Sequence, residues 1–171
     1  MTVLPNGDRR ATPNETAPMY DLIELFYFAY RDFVGDADRI LEAFGFGRAH
    51  HRVLHFVHRQ PGLTIAELLD ILRITKQSLN RVLRELIAKG FVDARSGEMD
   101  RRQRQLYATV EGEKLALDLS RAQTRRFERA MSELGPDGRA EAVAFLLAMT
   151  DPSGREKLME LAGAKAPQDF P

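Results

Sequence analysis

The spacing of apolar positions changes several times along this chain. From Met19 to Phe44 it is helical but overfull: Leu22, Ile23, Leu25, Phe26, Phe28, Ala29, Phe33, Val34, Ile40, Leu41 and Phe44 are more than one stripe can hold. A helix of this kind is buried on most sides. In a chain of 171 residues, part of that cover is expected from a second subunit. Gly35-Asp36 is a candidate break, and Gly45 and Gly47 are expected to end the helix. A second helix is predicted from Arg48 to Arg59, with Val53, Leu54, Phe56 and Val57 on its apolar arc, stopped by Pro61-Gly62.

The next segments are clearly punctuated. Thr64-Ile65-Ala66-Glu67 has the form of a capping box, in which hydroxyl and carboxylate each satisfy a free backbone N–H. A short helix follows, with Ile65, Leu68, Leu69 and Leu72 inward. The chain turns at Arg73-Ile74, and Thr75 caps a helix that runs to Lys89 and stops at Gly90. Its apolar residues Leu79, Val82, Leu83, Leu86 and Ile87 fall at i, i+3, i+4, i+7 and i+8, a single stripe. After Gly90 the period becomes two. Phe91–Arg95 reads as a strand, 96–100 as a turn, and Arg104–Val110 as the returning strand, with Leu106, Ala108 and Val110 on one side. Thr109 caps a further helix, with Glu111 and Glu113 near its positive end, running toward Leu134. Gly135-Pro136 breaks it. A helix from Asp137 to Met149 and a short piece from Arg155 to Leu161 follow. The expected fold is mostly α with a small β-hairpin wing, in winged helix-turn-helix order.

Composition narrows the function. Cysteine is absent, which excludes disulfides, thiol redox sensing, catalytic cysteine and cysteine-ligated zinc. No apolar run approaches the roughly 20 residues of a membrane span, and the N-terminus lacks the apolar stretch of a signal peptide. A cytoplasmic location is expected. The formal net charge of zero is composite. Residues 73–104 carry 9 Lys/Arg against 4 Asp/Glu, while the flanks carry 7 against 10 and 9 against 11. A block of net charge +5 between acidic arms is what one phosphate-touching module would leave.

That block has the right side chains. Around the Thr75–Lys89 helix, the face opposite Leu79 presents Gln77, Asn80, Arg81 and Arg84, with Ser78 at its margin and Lys76 at the start. Arg reads guanine bidentately, Asn and Gln read adenine, and Ser and Lys meet backbone oxygens. An α-helix fits the major groove N-terminus first. The hairpin tip Asp100-Arg101-Arg102-Gln103-Arg104 sets three arginines in five residues, suited to the negative potential of a narrow minor groove. A carboxylate two residues before an Arg can hold its guanidinium in one orientation.

With these residues in view, Arg48–Gly112 resembles the MarR family of bacterial transcriptional regulators. The resemblance rests on Thr64-Ile65-Ala66-Glu67-Leu68, on Leu86-Ile87-Ala88-Lys89-Gly90-Phe91-Val92, on the wing Asp100-Arg101-Arg102, and on Ala108-Thr109-Val110-Glu111-Gly112. The helical order extends it over most of residues 19–150. Tyr20–Leu25 and Arg48–Arg52 look similar to a PetP/LdtR-like subset. The resemblance implies a non-enzymatic homodimer whose first and last helices interleave, bound to a pseudo-palindromic double-stranded DNA operator. It divides the chain into a tail (1–17), an N-terminal dimerisation helix (18–47), a winged domain (48–110), C-terminal dimerisation helices (111–163) and a tail (164–171). Asp100 would orient the wing and Arg102 would enter the minor groove, with Arg101 and Arg104 beside it. Thr75, Lys76, Gln77, Ser78, Asn80, Arg81 and Arg84 would serve the major groove and its phosphates. A small aromatic effector is implied between the dimer helices and the winged domain, without a cofactor.

Two clusters stand apart. All four histidines, His50, His51, His55 and His58, lie within nine residues. His51, His55 and His58 share an arc of a helix, a spacing that can bind zinc or respond to pH; no metal site is expected, because ligands from other helices are missing. The aromatics of the first helix suit a core or an effector pocket, with Tyr27, Tyr30, Arg31 and His51 as candidate ligand contacts. Rival functions are a winged-helix protein-interaction module without DNA function, which the arginine-rich wing disfavours, and an enzyme, for which no nucleophile–base pair or phosphate loop stands out.

Overall fold

Helix α1 spans Tyr20–Glu42 without interruption. The expected break at Gly35-Asp36 does not occur: a Cβ at Gly35 would meet nothing within 4 Å, and Asp36 bonds Arg39 at 2.5 Å one turn ahead and Arg126 at 2.6 Å. In this computed structural model, which describes residues 17–97 and 103–163, the remaining order is α2 (Arg48–Arg59), β1 (Leu63–Thr64), α3 (Ile65–Leu72), α4 (Lys76–Ala88), β2 (Val92–Ser96), β3 (Arg104–Ala108), α5 (Val110–Leu134), α6 (Gly138–Ala148), a 3-10 turn at Pro152–Gly154 and α7 (Arg155–Ala162).

The sheet has three antiparallel strands in the order β1-β3-β2. Val92 faces Ala108 and Ser96 faces Arg104 across the wing, while Leu63 faces Leu106. The two-residue β1 was not foreseen, since so short a segment carries no period. Val110 is also corrected: it is the first residue of α5, not a strand residue, and is 78% exposed.

The core lies in the winged region. Val53, Leu54 and Val57 of α2, Leu68 of α3, Leu79, Val82, Leu83 and Leu86 of α4, and Leu106 of β3 form one buried cluster. Leu41, Leu115 and Leu119 join it from α1 and α5. Ile87, the fifth residue of the expected stripe on α4, stays exposed. The first half of α1 contrasts sharply with this core. Every residue from Met19 to Arg31 is exposed, Tyr20, Leu22, Ile23, Leu25, Phe26 and Phe28 among them.

Candidate nucleic-acid interface

The interface is built around two helix starts. At α3, the Thr64 hydroxyl accepts from Glu67 N–H at 3.2 Å, and the Glu67 carboxylate accepts from Thr64 N–H at 2.8 Å and from its hydroxyl at 2.7 Å. These bonds, the hydroxyl's first, hold the Glu67 carboxyl below its ordinary pKa. At α4, the Thr75 hydroxyl oxygen accepts from Ser78 N–H at 3.2 Å, and its own proton goes to Ser78 Oγ at 2.9 Å. Such caps are worth about 1 kcal/mol each. Between the two helices Arg73 takes the left-handed conformation, φ 49°, where Gly or Asn is usual; nothing in the sequence signalled it.

Helix α4 buries Leu79, Val82, Leu83 and Leu86 and exposes Lys76, Gln77, Ser78, Asn80, Arg81 and Arg84. Lys76, Gln77, Asn80 and Arg84, together with Arg104 of β3, line one hollow of about 570 Å³ between α4 and the wing, floored by Ile65, Leu83, Ile87, Ala94 and Leu106. Thr75, Ser78 and Arg81 do not line this hollow. The expected readers are thus split: four helix residues and one wing arginine share a concave surface, and these three do not. Arg95, absent from the expected set, lies 4.5 Å over the Tyr107 ring and 3.5 Å from Asp93, which fixes a cation on the wing. Its strand position gave a usable signal, since it lies in the basic block. Asp100, Arg101 and Arg102 lie outside the described residues, although Gly97 N–H donates to Gln103 O at 2.9 Å where the described strands end.

The other candidates are scattered. Tyr27 and Tyr30 are exposed on α1, and Arg31 pairs with its neighbour Asp32 at 2.9 Å and lies 5.0 Å over Phe28. His51 is half-buried on α2 with its ring 6.5 Å from that of His55. Burial depresses the pKa of both histidines; His55 adds to this at His51, and Arg59 and His58 add to it at His55. His50 turns elsewhere, to Glu85 of α4 at 2.8 Å. Among the described residues no three of His, Asp and Glu converge as a metal would require. None of Tyr27, Tyr30, Arg31 and His51 lines a second hollow, about 1030 Å³ between α2–α3 and the C-terminal helices, whose walls include His55, Phe56, Arg59, Ile71, Arg73, Ser120, Met149, Lys157 and Leu158.

Two short helices, the second presenting polar side chains opposite an apolar face, followed by a basic antiparallel wing, define a winged helix-turn-helix regulator of the DNA-binding class. Known proteins make the assignment narrower. The family model described as "MarR family" matches residues 44–103. The HTH-type transcriptional regulator PetP of Rhodobacter capsulatus is 47% identical over 143 residues, 84% of this chain and 86% of that protein. A MarR transcriptional regulator from Methanosarcina mazei Go1 superposes with a TM-score of 0.64 at 22% identity, over 78% of this chain and 89% of the other. Staphylococcus aureus MepR, in its DNA-binding conformation, gives 0.63 at 23% identity over 75% and 95%. The chain belongs to the MarR family of helix-turn-helix transcriptional regulators, a family of regulators rather than enzymes. Among the described residues no helix is long and apolar enough to cross a membrane.

Proposed function

We propose that this chain acts as a homodimeric repressor in the cytoplasm, bound to a pseudo-palindromic operator and released by a small aromatic ligand. The observation that carries the DNA reading is α4: six polar side chains exposed on a capped helix whose opposite face buries Leu79, Val82, Leu83 and Leu86. Lys76, Gln77, Ser78, Asn80, Arg81 and Arg84 are assigned to the major groove and its phosphates, and Thr75 to holding the helix start. Arg104, Arg101 and Arg102 are assigned to the wing and flanking minor groove, with Asp100 orienting Arg102. Residues 18–47 and 111–163 build the dimer around the winged domain of 48–110, and the uncovered apolar half of α1 supports that division.

The ligand reading is supported by the 1030 Å³ hollow, which joins the helix-turn-helix to α5 and α7 through mixed walls: Phe56, Ile71, Met149 and Leu158 beside Arg59, Arg73, Asp151 and the Asp70–Lys157 pair. This volume is of the size of known small-molecule sites. Tyr27, Tyr30, Arg31 and His51 are assigned to a second, dimer-dependent position for such a ligand.

The test is an operator selection with purified protein, followed by fluorescence anisotropy. Arg81→Ala and Arg102→Ala are each expected to weaken operator binding by about 1–3 kcal/mol without changing the association state. The wild-type log K should fall with log salt as phosphate contacts release counterions. Binding untouched by both substitutions would remove these residues from the interface. Addition of aromatic acids and phenols to the complex, scored by loss of anisotropy, tests the ligand reading separately.

A further inference from the structure

Both helices assigned to the dimer reach the recognition helix at one place, the end of α4. The chain leaving α1 turns at Gly45, φ 64°, where Lys89 Nζ donates to Phe44 O at 2.6 Å and lies 4.7 Å over the Phe46 ring. Phe91, directly after α4, meets Phe44 and Phe46 edge-on at 5.5 and 5.1 Å. The start of α5 closes on the same residue: Thr109 N–H donates to Phe91 O at 3.1 Å, and a Cβ at Gly112 would stand 2.0 Å from that oxygen. Only glycine permits α5 to approach this closely.

One strut crosses from this joint to the flank of α4. His50 stacks on Phe46 with ring centroids 4.7 Å apart. Its Nδ1 accepts from Gly47 N–H at 3.2 Å at the start of α2, so in the neutral ring the proton sits on Nε2, which donates to Glu85 Oε2 at 2.8 Å. His50 is 13% exposed and Glu85 43%. Glu85 lies on α4 one turn beyond Arg81, so this bond ties α2 to the flank of the helix that carries the assigned base readers.

We propose that His50 is a positioning residue for operator recognition: through Glu85 it sets the angle of α4 against α1 and α5, and with it the half-site spacing that the protein accepts. Two copies of α4 meet successive major grooves only when their separation matches about one helical turn of DNA. A recognition helix free to roll tolerates other spacings and binds the best one less well. The inference rests on the homodimeric DNA-binding reading given above.

The test separates the two ring nitrogens. In His50→Asn the side-chain amide stands where Nδ1 was, keeping the Gly47 cap and losing Glu85; in His50→Gln the amide reaches the Nε2 position and can donate to Glu85. Anisotropy is measured on the selected operator and on a series with one to three base pairs inserted or deleted between half-sites, with circular dichroism to confirm folding. His50→Asn is expected to lose about tenfold on the optimal site, the size of one hydrogen bond to a charged group, and to flatten the spacing profile; His50→Gln is expected to restore both. A cycle with Glu85→Ala should show coupling between the two positions in DNA affinity. Equal behaviour of the Asn and Gln variants, zero coupling, or an unchanged spacing profile would each overturn the proposal. Failure of the wild-type protein to bind any operator overturns the DNA reading instead, and is seen before any variant is made.

Discussion

The winged region and the first half of α1 draw on the same residue types and end in opposite states. In α4, four of the five apolar residues on one stripe are buried, in a cluster that α2 and the sheet complete. In α1, the apolar residues from Met19 to Tyr30 surround the helix and all lie in the open. The difference lies in periodicity rather than hydrophobicity. A single stripe is satisfied by one neighbouring layer, whereas a helix apolar on most sides needs cover from more directions than the described residues supply. Exposed apolar patches on this scale mark association surfaces. The winged module covers its apolar stripe within one chain, whereas the proposed dimer arm leaves its apolar surface open among the described residues.

The largest effect that could break this contrast comes from charging the arm. Leu22→Asp with Phe26→Asp is expected to convert the protein to a monomer in sedimentation equilibrium. Operator affinity should then fall by about 10² to 10⁴, the avidity of a second linked site. A variant that remains dimeric would move the interface off this face. A smaller effect is expected in the module. Leu86, fully buried beneath the recognition face, should cost about 2–5 kcal/mol on replacement by Ala, measured by urea unfolding, with association unchanged below the transition. A cost under about 1 kcal/mol would mean that this core collapses around the cavity more readily than its packing suggests.

The same contrast explains what the sequence made legible. The helix-turn-helix was readable because each boundary has local chemistry: Thr64 with Glu67, Thr75 with Ser78, and Gly90 after Lys89 act within three or four residues. The excess of apolar residues in α1 over what one stripe holds was readable because periodicity is also local. Features held by distant pairs were not readable. His50 and Glu85 are 35 positions apart, and Asp70 and Lys157, whose ion pair joins α3 to α7, are 87 apart. No spacing rule connects either pair. The split of the α4 readers, with Lys76, Gln77, Asn80 and Arg84 in the hollow beside the wing and Arg81 outside it, depends on where β3 docks, which a helical wheel does not contain. The hollow under α7 was invisible for the same reason, since its walls come from α2, α3, α5 and α7.

The smallest predicted effect lies at the seam between module and arm, on α2. His51 and His55 are both held below the ordinary histidine pKa, mainly by burial, so the fold favours their neutral rings. The unfolded chain takes up their protons near pH 6.5 while the folded chain does not. Stability therefore rises with pH in the interval between the depressed folded values and about 6.5. Above that interval the contribution is fully present; it is lost as the pH drops through it. The carboxylates of Asp36, Glu67 and Asp70, lowered by Arg126, Thr64 and Lys157 respectively, lose their contributions only in the more acidic carboxylate range, so the two windows separate. Urea midpoints taken from pH 7.5 downward should decline first in the histidine window. His51→Gln and His55→Gln should each flatten that decline while leaving the acid limb in place. A midpoint that stays level between pH 7 and the carboxylate range would show that these rings gain their protons equally in both states, and that the α2 seam is wetter than its burial implies.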